Sequence, residues 1–294
     1  EFRHGLMAEL RRSDAGGHSR ILTLLAGTAD PDIAPGLLRW QFDPEFDAEV
    51  RELAARAVER LSQGSLTVAT TTDASNLLTE RGASLLKSAS SRFASIRKSA
   101  IVTELTSRDF RAELLNDATS HLTDAVALDA ANSRASSLLL VAKSAATDPA
   151  LSVAASTAAG QTVSDLAAAL ERALEIGEAN AGIELLRAMR ASDFSQIAPE
   201  TLDLVARTLR SAVNSPDPRI RFLACDAALN AAHTDISSTA VLRTFKSIRE
   251  GSQKPEAVVV DSNDQSLRNL DVALEDTGFA VVPCQTGQDG FDAA

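Results

Sequence analysis

DPEFDAEVRELAARAVERL, residues 43–61, carries the pattern that decides the fold. Phe46, Val50, Leu53, Ala57 and Leu61 recur at spacings of three and four, and Ala54 and Val58 widen the stripe. Glu49, Arg51, Glu52, Arg56, Glu59 and Arg60 fall on the opposite side. Asp43 is the expected N-cap, with Pro44 in the first turn, where its missing N–H costs nothing. These residues predict a helix that buries one face.

Similar pieces extend in both directions. Phe110, Leu114, Ala118, Leu122 and Ala125 form one stripe, and Leu138, Leu139, Ala142 and Ala146 the next. Further helices are expected over 163–176, 179–189, 199–213, 218–231 and 237–248. Strand-like alternation is nearly absent before residue 255. Amphipathic helices joined by short connections must be antiparallel neighbours, and each hairpin is too thin to bury its own apolar face. The expected fold is therefore mainly α, an α-solenoid of stacked helical hairpins over residues 1–250. Within it, residues 62–78, rich in Ser and Thr, are a candidate linker. REGSQKPEA, Arg249–Ala257, is the expected domain boundary, because the pattern changes type across it.

The 294 residues carry a net charge of −11. That acidity disfavours a nucleic-acid partner, since a phosphate backbone would be repelled over most of the surface. Cys225 and Cys284 lie far apart, so neither a disulfide framework nor a zinc cluster is indicated. No apolar run approaches the roughly 18 residues of a membrane span, and no signal peptide is recognisable. A cytoplasmic protein without a membrane partner is expected. The chain opens without Met inside one helical pattern and stops inside another, which reads as a fragment.

Beyond Pro255 the period changes. AVVVD, residues 257–261, is a short buried strand that ends in a carboxylate. Residues 264–278 read as a helix with Asp264 as its expected cap, Leu267, Leu270 and Leu274 on one side and Gly278 as its stop. FAVVPC is a second strand, and GQDGFDAA starts another helix. Strand, crossover helix and strand make a right-handed β-α-β unit over 255–294.

Two resemblances follow from these residues. DPEFDAEVRELAARAVERL and SPDPRIRFLACDAAL (215–229) resemble the second helix of HEAT repeats, and residues 114–142 resemble a tetratricopeptide-type hairpin with its turn at ALDAANSRA. No strict period links them. VVVDSND and DTGFAVVPCQTGQDGFDAA resemble the N-terminal third of the receiver domain of two-component response regulators, a flavodoxin-like α/β fold with its site at the C-terminal strand ends. The resemblance puts Asp261 on the first of two acidic, magnesium-binding positions. Ser262 stands where the family has the second acid, so the receiver is degenerate. The family's phospho-accepting Asp, its Thr or Ser and its Lys would fall beyond residue 294. The resemblance implies no cofactor here, with magnesium only where the parent receiver works.

Other candidates carry less. His4, His18, His121 and His233 are scattered and read as solvent-facing helix residues. Cys225 is expected in a core, and Cys284 at an exposed strand end. Trp40, which precedes a turn with Phe42, is expected to staple two hairpins together. AGGHSR, residues 15–20, reads as a helix-breaking glycine pair, and Arg92, Arg97 and Lys98 as a solvated basic face. Nucleophile-elbow, P-loop and dinucleotide fingerprints are missing from the sequence. The expected function is a non-catalytic protein–protein interaction scaffold or signalling adaptor with an unidentified protein partner. The alternative is a phosphorelay response regulator whose intact receiver switches the helical domain.

Overall fold

The computed structural model describes residues 2–96, 104–146, 162–194, 197–230, 256–276 and 280–293. The chain divides into two compact units, Glu1–Asp235 and Ile236–Ala294. The boundary expected at 249–257 and the helix expected over 237–248 fall almost wholly outside the described residues.

In the first unit, α1 (Phe2–Arg12) and α2 (Ala15–Ala26) precede a 3-10 segment (Pro31–Leu37) and a short α3 (Leu38–Phe42). The glycine pair at 16–17 opens α2 instead of breaking it, because the Asp14 carboxylate accepts from Gly17 N and caps the first turn. The deciding stretch forms α4 (Ala48–Ser62). Val50, Ala54, Ala57, Val58 and Leu61 are buried as the periodicity requires, while Leu53 and Phe46 pack at the edge of the same core. Asp43 is not the N-cap. It closes α3, accepts from Glu45 N at 3.0 Å and faces Arg39 at 3.5 Å. With that carboxylate already engaged, α4 starts four residues later, after Asp47.

Half of the expected linker is helix. α5 (Thr71–Ile96) begins at a capping box in which Thr70 and Asp73 each bind the other's backbone N–H at 3.1 Å. Ala74 and Leu78 are buried, and Leu66 and Val68 of the loop before it pack on the core.

α5 lies against α6 (Glu104–Leu128) so closely that a Cβ on Gly82 would sit 2.5 Å from Leu122 Cγ. The buried face of α6 is Leu115, Ala118, Leu122 and Ala125. Phe110 and Leu114 belong to the neighbouring face with Asp117 and His121, so the expected stripe is rotated at its start: Leu114 is half-buried and Phe110 exposed. Residues 129–132 turn the chain into α7 (Ser133–Ala146). Asn132 accepts from Ala135 N and donates to Ser75 Oγ and Thr79 Oγ1, which ties the turn to α5. On α7 the core residues are Leu138, Leu140, Val141, Ala142 and Ala145, and Ala146, one position further round the helix, is exposed.

α8 (Val163–Ile176), α9 (Ala179–Arg190), α10 (Pro199–Val213) and α11 (Pro218–Asn230) follow. Thr162 and Asp165 form a capping box on α8, and Gly177 ends it at φ 80°, a left-handed conformation that glycine adopts without strain. α8 packs on α9 and α10, and α11 packs on α9 and α10, so the four helices form a closed ring of neighbours. Alanines make this close approach possible: Ala167, Ala169 and Ala173 of α8 and Ala181 and Ala188 of α9 are fully buried. Cys225 is buried as expected. Trp40 is buried too, and its ring stacks on Phe46, with centroids 6.0 Å apart.

In the second unit, β1 (Glu256–Val260) and β2 (Ala280–Cys284) pair in parallel, with Val258 opposite Val282. α12 (Asp264–Asp276) connects them, and α13 (Gly287–Ala293) contacts both strands. The expected β-α-β order is present as a two-stranded sheet. Leu267 is buried and Leu274 half-buried, but Leu270 is exposed, since two strands are too narrow to cover the whole helix stripe. Cys284 is buried where exposure was expected, because α13 covers the end of β2. Gly278 lies outside the described residues.

Candidate functional site

Two places collect polar side chains, one in each unit. In the second unit, Asp261 follows β1, and its backbone N–H donates to Cys284 O at 3.1 Å, extending the strand pairing by one residue. Its Oδ1 accepts from Asn263 N at 2.9 Å in a tight turn. Asn263, not Asp264, caps α12: its Oδ1 accepts from Gln265 N and Ser266 N. Asp264 is released for a second task and accepts from Gln285 Nε2 at 2.6 Å across the strand ends. Ser262 is exposed. Among the described residues no group of three or more His, Cys, Asp or Glu is placed to hold a metal ion. Asp261 with Ser262 thus offers a single carboxylate at the end of the strand.

In the first unit, α1, the 3-10 segment, α5 and α6 enclose a cavity of about 280 Å³. At one end stand Arg11, Arg81 and His121; along α6 follow Asp117, Leu114 and Phe110. Behind this wall, Asp124 is 1% exposed and binds Arg11 Nη2 at 2.8 Å and Arg39 Nη1 at 3.4 Å. Burial raises the Asp124 carboxyl above its ordinary pKa, opposed by the two guanidiniums. The Arg11 guanidinium also lies over the Trp40 ring, 5.8 Å from its centroid. Arg81 pairs with Asp32 at 3.2 Å across the cavity mouth.

His121 is not the solvent-facing residue expected. Its Nδ1 is buried without a hydrogen-bond partner. Burial, and then the charges of Arg11 and Arg81, lower its pKa to about 4, so the imidazole is neutral at pH 7. The sequence holds one signal for this: His121 adjoins Leu122 on the face of α6 that carries Phe110 and Leu114. Arg11, Arg39 and Arg81 lie 40 to 110 residues away in the chain, and no local pattern joins them to it. His18 stacks edge-on against Phe46 at 5.4 Å. The side chains of His4, His233, Arg92, Arg97 and Lys98 lie outside the described residues.

A second buried carboxylate links the other helices. Glu178, before α9, accepts from Arg111 Nη2 at 2.7 Å and from Ser90 Oγ at 2.6 Å, joining α5, α6 and the α8–α9 turn. Like Asp124, it is a fastening made by residues remote in sequence.

No protein-family model, curated protein or solved structure matches the chain. Among the described residues no helix is long and apolar enough to cross a membrane.

Proposed function

We propose that the protein is a non-catalytic scaffold or signalling adaptor of the cytoplasm, an α-solenoid that offers its helical layers to a protein partner. The observation that carries this is the helix-on-helix packing from α5 to α11, in which α8 and α11 each pack on α9 and α10. Helices packed in this way bury one face and leave the other to solvent, the form that helical-repeat proteins use for binding. Leu24 on α2 and Leu229 on α11, 57% and 60% exposed, are apolar side chains open to a partner. The β-α-β unit serves in this reading as a degenerate receiver-like docking module. Neither nucleic acid nor membrane is a partner, in keeping with the charge of −11.

The test is site-specific photo-crosslinking from positions 24 and 229 in cells. The reading expects a discrete adduct with one protein, lost from position 24 on Leu229→Glu or from position 229 on Leu24→Glu at unchanged circular dichroism. Only diffuse adducts, insensitive to both substitutions, would refute it. The phosphorelay alternative draws on the carboxylate of Asp261 at the end of a parallel strand. Acetyl phosphate with magnesium is expected to leave the intact mass of this chain unchanged under both readings; an adduct on Asp261 or Asp264 would overturn the assignment of the acceptor to another position.

A further inference from the structure

We propose that the cavity between α1, the 3-10 segment, α5 and α6 binds a small zwitterion with an apolar tail, of the apolar α-amino-acid class. Its lining has three chemistries, and each meets one part of such a molecule. At one end Arg11 and Arg81 each commit Nη2 to a protein carboxylate, Asp124 and Asp32 respectively. A guanidinium has five N–H donors in a fixed fork, so both retain donors for a ligand carboxylate. His121 stands beside them, neutral, with a buried Nδ1 that lacks a partner. It adds no third positive charge to that end of the cavity.

Asp117 lies one turn along α6 from His121, roughly 6 Å at 1.5 Å per residue, and Glu113 one turn further. Both have partners within the chain, yet a carboxylate has about four acceptor sites, which leaves room for an ammonium group. Leu85, Leu114 and Phe110 close the remaining side as an apolar wall.

Charge decides between the simpler ligands. A plain anion would meet Asp32, Glu113 and Asp117; a plain cation would meet Arg11 and Arg81. Among charged molecules, one that carries both charges avoids both penalties and pairs with both ends of the lining. At about 280 Å³ the space falls just under the roughly 300–1,000 Å³ of pockets for drug-sized ligands, which suits a small metabolite.

The experiment is calorimetric titration and thermal shift of the whole chain with L-leucine, against 4-methylpentanoate and isopentylamine, which each lack one charge. Leucine is expected to bind and to raise the melting temperature, with each comparator at least about tenfold weaker. Arg81→Gln and Asp117→Asn, checked by circular dichroism, should each weaken leucine by about tenfold or more. Three results would overturn the proposal: neither heat nor shift with millimolar leucine, a comparator binding as tightly as leucine, or both folded variants binding leucine like the wild type. The comparators act on the wild-type chain, so the test holds even if a variant does not fold.

Discussion

Replacing His121 by Gln should remove a pH dependence that the cavity imposes on the whole first unit. In the folded protein this imidazole takes up a proton only near pH 4, whereas in the unfolded chain it does so near its ordinary 6.5. A lowered folded pKa means that the unfolded state binds the extra proton between these values. Stability therefore falls as pH drops from about 6.5 to about 4 and changes no further on this account below that. The gap is about 2.5 pKa units, and each unit corresponds to about 1.4 kcal/mol, giving about 3 kcal/mol in all. Asp124 acts in the opposite sense, since its raised pKa favours the folded state as pH falls. The comparison must therefore be wild type minus variant, in which the shared terms cancel. Trp40, the chain's single tryptophan, is buried beside Arg11 and reports on this unit alone. Urea unfolding followed by its fluorescence should show the wild type losing about 2–3 kcal/mol more than His121→Gln between neutral pH and pH 4.5. Parallel losses in the two proteins would mean that His121 titrates normally and that the cavity does not keep it neutral.

Three further outcomes follow from the packing. Gly82→Ala should destabilise by about 1–3 kcal/mol despite alanine's better helix propensity, because its Cβ would press on the fully buried Leu122; an unchanged urea midpoint would contradict the close α5–α6 approach. Asp124→Asn should cost about 2–3 kcal/mol, less than a fully enclosed pair would, since Arg11 and Arg39 keep about a quarter of their surface in water; the midpoint of Trp40 fluorescence measures it, and no shift would mean the two arginines hold α1 and α3 without it. Leu115→Asp should lower the circular-dichroism melting point far more than Leu114→Asp, because the first charge enters the core and the second only a half-open cavity; the reverse order would restore the stripe read from the sequence.

The periodicity of residues 43–61 was enough to establish a helix with a buried face, because every turn of a helix returns the same face to the core. The same logic located α8, α9 and α10 to within a residue or two, and the change to an apolar run near 257 announced β1, although its residues are only half-buried and Val260 is exposed. Local sequence failed where two neighbouring faces were both apolar. On α6, Leu114 and Leu115 offered equal hydrophobicity, and only the approach of α5 at Gly82 selected Leu115 and Leu122 for the core. It failed again at caps: Asp43 was a sound candidate until Arg39 and Glu45 N claimed its carboxylate, and Asp264 until Asn263 took the cap. The candidate sites divide in the same way. Asp261 was legible because a strand end is a local feature. The cavity was not, since Arg11, Arg81, His121 and Asp124 come together only when α1, α5 and α6 pack, and the field that keeps His121 neutral exists only after that packing excludes water.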